Sequence, residues 1–204
     1  DELIGDESVS IYTVPDLNVN NIITTSTDII SSKNVYLGSA GNVILNGTKK
    51  INGLDSISVE AGQDVLLKTG TLDSDVLNLK ANMGKIEESD GFVLETPVLN
   101  ATANNDILLN SKANQLQQVN VANANGNVYI VNGNKGAENL AISITTTGAT
   151  INGDLTVYNY DEANGAANKI VLANNLSASG TIKIINEEAD VTVGAGGNIK
   201  ATNI

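Results

Sequence analysis

One short phrase recurs along this chain and constrains its fold more than any other feature. The stretch "GNVILNG" at 41–47 returns almost unchanged as "GNVYIVNG" at 126–133, and related copies are "QDVLLKTG" at 63–70 and "NDILLNS" at 105–111. The apolar residue inside the phrase recurs about every 21 residues along most of the chain. This period predicts a repeat architecture, because a unit of that size buries its apolar face only against its neighbours.

The apolar residue of the phrase predicts a column of stacked side chains. Its members are Ile22, Val43, Val65, Ile86, Ile107, Val128, Ile151, Ile170 and Val191. Ala149 fits the spacing as well as Ile151 does. A second apolar residue usually follows two places later, which is the alternation of a strand with one face inward. A second alternating column follows about fourteen places later, at Ile57, Leu77, Val119, Ile142 and Ile182.

These units predict an all-β fold, a parallel β-solenoid of about eight to nine coils of roughly 21 residues, right-handed by the general preference of parallel crossovers. Weaker apolar positions at Ile51, Leu72 and Val93 predict a third strand in each coil. Asn-Gly pairs supply the corners, where asparagines can stack in ladders. Residues 1–19 are interpreted as a strand-like arm or an irregular cap coil, and residues 20–204 as the solenoid. An antiparallel sandwich explains the alternation but not the constant period.

The amino-acid composition limits the classes of partner and site that this chain is expected to have. The net charge is −12 and the sequence pI about 4.2, which disfavours nucleic acid and anionic membranes. The chain has no Cys, so disulfides and thiolate metal sites are excluded. No apolar run is long enough for membrane insertion. The chain opens at Asp1 without a Met or a leader, which suggests a mature product or a piece of a longer chain.

The same composition argues against an enzyme. The chain has neither His, the commonest general base, nor Arg, the usual clamp for carboxylates and phosphates. Two carboxylates could still serve a glycosidase. Aromatic residues make up only 3% of the chain, however, so a sugar ring finds few surfaces on which to stack. We therefore expect a non-enzymatic protein.

With its coils laid out, the sequence resembles the β-helical shafts of filamentous-haemagglutinin-type adhesins, which are exported by two-partner secretion. The resemblance lies in the [Gly/Asn]-[Asn/Asp]-[Val/Ile]-x-Leu opening, the Gly/Asn corner and the second alternating strand, and it covers residues 20–204. It implies a secreted, extracellular rod at the cell surface that reaches, adheres or scaffolds. The family's secretion domain is not recognisable here, and none of its binding residues maps onto this chain.

Two stretches depart from the pattern. Glu87 and Glu88 stand where other units have Leu or Ile. Because a buried carboxylate is costly, we expect a bulge that turns Glu88 outward. In the segment 147–167, "VYNYDEANGAA" replaces the second strand, which predicts a loop or an outward bend carrying Tyr158 and Tyr160. Such a loop is either a tolerated irregularity or a ligand contact.

Several carboxylates recur near a spacing of twenty residues, at Asp55, Asp73, Asp75 and Glu95. On adjacent coils they would repel one another unless splayed, protonated or bridged by a cation. Oxygen ligands suit Ca²⁺, so these four residues form a candidate calcium site. The alternative is a solvated acidic face, and apart from calcium no cofactor is expected.

The ends of the solenoid are candidates for assembly. A bare solenoid end exposes unpaired backbone and open ladders. The candidate assembly residues are Val9, Ile11, Tyr12, Val14, Ile199 and Ile204. The expected partner is a second copy stacked end to end, or the flanking solenoid of a longer chain. A host or cell-surface glycan or protein is a further possible partner.

The leading hypothesis is therefore a non-enzymatic, extracellular building block or shaft segment of a cell-surface fibre or adhesin. The alternative is a glycan-binding or glycan-cleaving β-helix, which would need a groove with paired carboxylates and aromatic side chains. A turnover assay on acidic and neutral polysaccharides distinguishes the two.

Overall fold

The computed structural model describes residues 3–20, 28–122, 125–133, 140–144, 151–160, 170–172, 176–187, 190–194 and 198–204. Within these ranges the chain contains strands and no helix. The strands are β1 (Leu3–Ile4), β2 (Ser8–Thr13), β3 (Leu17–Asn20), β4 (Asp28–Ser39), β5 (Val43–Ala61), β6 (Val65–Ala81), β7 (Ile86–Glu88), β8 (Phe92–Ala103), β9 (Ile107–Leu109), β10 (Gln115–Ala122), β11 (Val128–Asn132), β12 (Leu140–Ile144), β13 (Leu155–Asn159), β14 (Ile170–Leu172), β15 (Leu176–Ser177), β16 (Ile182–Asn186), β17 (Val191–Val193) and β18 (Ile199–Lys200).

All strand pairings are parallel and join equivalent strands of successive coils, so the predicted all-β parallel solenoid is confirmed. β5 and β6 each continue around corners with register shifts, so one long strand serves several faces of its coil. We call the three faces of a coil faces 1, 2 and 3, in chain order from β5. In β5 they comprise residues 43–46, 50–53 and 56–61.

The interior of face 1 is one continuous apolar ladder. Its members, in register, are Leu17, Val43, Val65, Ile86, Ile107, Val128, Leu155 and Ile182. None of these side chains is more than 7% exposed. Each adjacent pair removes apolar surface from water on both sides, which is the main source of stability in such a stack.

The predicted first column is confirmed from Val43 to Val128 and wrong beyond. Leu155, not Ile151 or Ala149, continues the ladder after Val128. Ile170 and Val191 belong to a different ladder with Leu140, and Ile182 lies on face 1 rather than in the second column. Ile22 lies outside the described residues. The physical reason is a change of coil length from 21 to 27 residues at Val128.

Faces 2 and 3 carry the other predicted columns. The residues of face 3 that lie in register are Val35, Ile57, Leu77, Leu99, Val119 and Ile142. The predicted second column is therefore confirmed at Ile57, Leu77, Val119 and Ile142. On face 2, Ile51 and Leu72 stack on Leu94, whereas Val93 pairs outward with Thr71.

Residues 3–20 continue the solenoid at its first coil. β1 and β2 pair in parallel with β4, and β3 pairs with β5, so Val9 lies in register with Val35 and Leu17 with Val43. In this structure the 1–19 segment is thus paired with its own chain as far as it is described.

The phrase that opens each unit has a structural explanation at the corner before face 1. The backbone N–H of Asn127 donates to Asp106 Oδ1. In the same way, the backbone N–H of Asp154 donates to Asn127 Oδ1, and that of Thr181 donates to Asp154 Oδ1. Each Asn or Asp therefore satisfies a backbone donor one coil higher. A Cβ at Gly126 would overlap Asp106 Oδ1, so the glycine before the Asn makes room for that oxygen.

Candidate functional site

The most unusual residue of the interior is Glu88. It lies in register with Leu67 on face 1, and its side chain is fully buried. The expected outward bulge at Glu88 is therefore wrong. Glu88 Oε2 accepts hydrogen bonds from the Ser111 N–H at 3.0 Å and from Asn114 Nδ2 at 2.8 Å, which offsets part of the burial cost.

The second oxygen of Glu88, Oε1, has no hydrogen-bond partner among the described residues. Burial raises the pKa of Glu88 to about 8, although the bonds from Asn114 and Ser111 oppose the shift. The charge of Asp90 adds a smaller upward contribution. Glu88 is thus protonated at neutral pH, and it titrates inside the core. Glu87 faces outward, and its bond from Lys85 lowers its pKa.

Buried asparagines extend this polar interior toward the last coils. Asn132 Nδ2 donates to Asn159 Oδ1 at 3.0 Å, and Asn159 Nδ2 donates to Asn186 Oδ1 at 2.9 Å. Asn132 also accepts from the Leu116 N–H and donates to the Leu116 carbonyl. Asn132 and Asn159 are fully buried. This spine therefore joins successive coils with side-chain amides. Asn114 does the same in the narrower coils, where it accepts from the Leu94 N–H at 2.8 Å and donates to Glu88 Oε2.

Two of the four candidate calcium ligands come together, around a lysine. Lys50 Nζ lies 2.8 Å from Asp73 Oδ2 and 3.3 Å from Glu95 Oε2. Gln115 Nε2 donates to Glu95 Oε1 at 3.3 Å. The hydrogen bond to Asp73 raises the pKa of Lys50 most, so the ammonium stays charged between the carboxylates. The cation that bridges Asp73 and Glu95 is therefore the ammonium group of Lys50.

Asp55 and Asp75 are exposed and lie outside the Lys50 group. No group of three or more His, Cys, Asp or Glu side chains that could hold a metal ion occurs within the described ranges.

The candidate assembly residues divide into buried and exposed members. Val9 is 7% exposed, and Ile11 and Ile199 pack partly buried against the core. Tyr12, Val14 and Ile204 are strongly exposed. The sequence pattern alone did not separate these two groups, because alternation sets the direction of a side chain but not what covers it.

The last coil presents apolar side chains that the preceding coils bury. Val191 and Val193 are 43% and 52% exposed, whereas their register partners Ile170 and Leu172 are at most 1% exposed. Together with Ile182, Ile184 and Ile199 they line a pocket of about 460 Å³.

Tyr158 does not lie on a loop, whereas Tyr160 directly follows the end of β13. Tyr158 is part of β13 in the face 1 column, so that expectation is wrong for residues 155–159, while 147–150 and 161–167 lie outside the described residues. The two rings stack with centres 4.0 Å apart, and Lys112 Nζ lies 4.2 Å from the centre of the Tyr160 ring. Tyr158 Oη donates to Glu187 at 2.6 Å, which raises the pKa of this phenol.

A second pair of tyrosines lies on the outer side of face 3. Tyr36 sits one coil above the 60% exposed Tyr12, which pairs in register with Gly38. Burial, then the charge of Glu60 and then Tyr12, raise the pKa of Tyr36. Four of the five tyrosines of the chain therefore occur in two pairs, each with a lysine and a glutamate nearby.

Comparison with known proteins adds no relative: no family model, no curated protein and no solved structure matches this chain. The described part of the chain also holds no helix with the length and apolar character that crossing a bilayer requires.

Proposed function

We propose that this protein is a non-enzymatic, extracellular structural rod, a building block or shaft segment of a cell-surface fibre. Its stacked coils make an elongated body, because each coil adds about 4.8 Å along one axis. The proposal agrees with the resemblance of its units to filamentous-haemagglutinin-type shafts and with the absence of Cys, which leaves no thiol to oxidise outside the cell.

The observation that carries the proposal is the open apolar ladder of the last coil. Val191 and Val193 occupy positions that are buried one coil earlier, so another parallel coil placed over them would bury them in the same way. Covering the exposed half of these two side chains contributes about half of the roughly 1.5–3 kcal/mol that full burial gives each. The strand edge at the same place offers backbone groups for pairing.

The partner that fits this end is another solenoid end. We propose a second copy of this chain, stacked end to end. The two ends of a solenoid differ, so this contact is heterologous and extends into a filament rather than closing a dimer. The flanking coils of a longer chain would make the same contact within one molecule.

The test is a charge placed on the open ladder. Val193→Asp should leave the fold intact, because the side chain is 52% exposed, and should abolish end-to-end assembly. Leu54→Asp is the matched control, since Leu54 is 59% exposed on the side of the rod. Sedimentation velocity and negative-stain electron microscopy at high protein concentration measure the assembly.

If the parent forms filaments, Val193→Asp should sediment as a monomer and Leu54→Asp should behave like the parent. A parent that stays monomeric at high concentration overturns the homopolymer, and equal assembly of both variants overturns the proposed contact.

A further inference from the structure

The outer side of face 3 carries a straight row of residues along the rod axis. Successive coils place Tyr36, Ser58, Asn78, Asn100 and Asn120 in register. Neighbours in such a row are spaced by about 4.8 Å, the distance between paired strands. In this stretch an aromatic ring is followed by a line of hydroxyl and amide groups, and Ser10 precedes the ring on the coil before.

Tyr36 lies flat against the sheet, and Gly38 makes this possible. A Cβ on residue 38 would lie 2.6 Å from Tyr36 Oη, 2.7 Å from Cε1 and 2.8 Å from Cζ. The ring thus lies over the glycine, and the Tyr36 side chain stays partly exposed. Tyr12, from the preceding coil, stands beside it and is 60% exposed.

The amides of the row bind one another and keep further hydrogen-bonding capacity. Asn100 Nδ2 donates to Asn78 Oδ1 at 2.9 Å, and Asn78 Nδ2 donates to Ser58 Oγ at 3.3 Å. An amide has two N–H donors and two acceptor lone pairs, and each of these bonds uses one. Asn78 and Asn100 are half-buried, so their remaining groups can meet a ligand on this face.

An ionised carboxylate lies beside the tyrosines. Glu60 pairs in register with Gly38, and its Oε1 accepts hydrogen bonds from Lys80 Nζ at 2.8 Å and Asn82 Nδ2 at 3.1 Å. The bond from Lys80 lowers the pKa of Glu60 most. A charged acceptor and a charged donor are thus held next to the partly exposed Tyr36 side chain.

We propose that this face binds a neutral, linear polysaccharide that lies along the rod axis. The C–H face of a sugar ring packs on Tyr36, with Tyr12 beside it, because an aromatic ring offers an apolar face at a polar surface. The sugar hydroxyls, which both donate and accept, bond to Asn78, Asn100 and Glu60. Because the row runs across the strands, a polysaccharide bound along it follows the rod axis.

Charge and backbone pairing select this ligand class. The net charge of −12 disfavours polyanions, and the uncharged hydroxyl and amide groups of the row suit a neutral polymer better than a polycation. Strand addition by a peptide is not available in the middle of face 3, because the strands there are paired on both sides. This inference goes beyond the structural role, and it is independent of assembly at the last coil.

Affinity electrophoresis tests the proposal with hydroxyethylcellulose, mixed-linkage β-glucan, xyloglucan and galactomannan in the gel, and with alginate as the polyanionic comparison. We expect at least one neutral polymer to retard the parent and alginate not to do so. Tyr36→Ala and Gly38→Ala should each weaken the retardation about tenfold or more, the second because the added methyl group displaces the ring. Tyr129→Ala is the matched control and should bind within about twofold of the parent.

Thermal melting of each variant accompanies the gels, and Asn100→Ala serves if Gly38→Ala melts early. The assembly-deficient Val193→Asp protein should bind like the parent, so failure of the filament and failure of glycan binding are distinguishable. Retardation by none of the four neutral polymers overturns the proposal. Equal retardation of Tyr36→Ala and the parent places any glycan elsewhere and overturns it as well, as does binding to alginate alone.

Discussion

The coils before Val128 and those after it obey different rules, although both build the same ladder. From Val65 to Val128, successive members of face 1 are 21 residues apart, whereas Val128, Leu155 and Ile182 are 27 apart. The narrow coils connect their faces by tight corners. The wider coils keep the register of face 1 and lengthen the connections between faces. The stacked strand, rather than the length of the coil, is therefore the constant unit of construction.

The two regions also differ in which polar residue is buried near the end of the face 1 strand. In the wider coils, the residue four places after the ladder member is Asn132, Asn159 or Asn186, and these amides bond to one another. In the narrow coils, the buried acid Glu88 lies two places after the ladder member Ile86 and is bonded by Ser111 and Asn114. A regular apolar interior thus tolerates polar groups where a neighbouring coil supplies some of their hydrogen bonds, although Glu88 Oε1 has no partner among the described residues.

The largest effect is expected from a charge at the boundary between the two regions. Val128→Asp buries a carboxylate in a ladder position that is 1% exposed, and it should lower the free energy of unfolding by several kcal/mol or prevent folding. Val191→Asp is the matched control, since that side chain is 43% exposed, and it should cost less than about 1 kcal/mol. Urea denaturation followed by circular dichroism measures both. Equal urea denaturation midpoints for Val128→Asp and the parent would mean that the ladder is misassigned.

A buried acid predicts an unusual pH dependence in the narrow region. Because the folded-state pKa of Glu88 is about 8, above its ordinary value of 4.5, its protonation stabilises the fold fully below about pH 4.5. That contribution is lost as the pH rises through about 8. Glu88→Gln removes the titration, so the stability of the variant relative to the parent should rise by several kcal/mol between pH 4.5 and 9.

For Glu87→Gln, the expected change of stability with pH has the opposite sign. The pKa of Glu87 is lowered by Lys85, so its contribution is present above about pH 4.5 and is lost as the pH falls through its folded pKa. Urea denaturation at pH 3, 5, 7 and 9 compares the two variants, because Glu87 titrates below about pH 4.5 and Glu88 above it. A stability difference between Glu88→Gln and the parent that does not change with pH would contradict the buried, protonated acid.

The asparagine spine should matter in the wider region. Asn132→Ala leaves the buried N–H and carbonyl of Leu116 without the Asn132 side chain, which should cost about 1–3 kcal/mol. Asn152→Ala removes an exposed corner amide that donates to Asn125 Oδ1, and it should cost under about 0.5 kcal/mol. Similar costs for the two variants, measured by urea denaturation, would show that the spine contributes no more than a corner ladder.

The smallest effect is expected at the outer carboxylates. Asp73→Asn weakens a partly exposed ion pair with Lys50 and should cost no more than about 1 kcal/mol. Because the ammonium already lies between Asp73 and Glu95, we expect calcium or a chelator to leave the melting temperature nearly unchanged. A rise of several degrees with calcium that Asp75→Asn abolishes would instead support the calcium site.

The sequence was sufficient for the fold and for the ladders of the narrow coils, because period and alternation there report the same physical constraint. It failed at Ile151, Ile170 and Val191, where apolar alternation recurs at a plausible spacing but on another face. A usable signal was present: "VYIVN" at 128–132, "LTVYN" at 155–159 and "IKIIN" at 182–186 repeat at 27 residues and end in the spine asparagines.

Side-chain contacts between coils could not be predicted from the spacing of residues in the sequence. The inward direction of Glu88 depends on Ser111 and Asn114, which lie more than twenty residues away and reach its carboxylate only through the stacking of coils. Likewise Lys50 meets Asp73 and Glu95 on two further coils. Such contacts follow from the register, so they become predictable only after each coil length is known.

The most direct test of the central claim, that Leu155 continues the ladder of Val128, is disulfide trapping in this Cys-free chain. Tyr129 pairs in register with Thr156, and paired strands about 4.8 Å apart lie within disulfide range. A period of 23 residues would instead pair Tyr129 with Asn152, which lies about 13 Å away along the coil. We expect Tyr129→Cys/Thr156→Cys to oxidise readily to an intramolecular disulfide and Tyr129→Cys/Asn152→Cys not to do so; the reverse result would show that Leu155 does not continue the ladder of Val128.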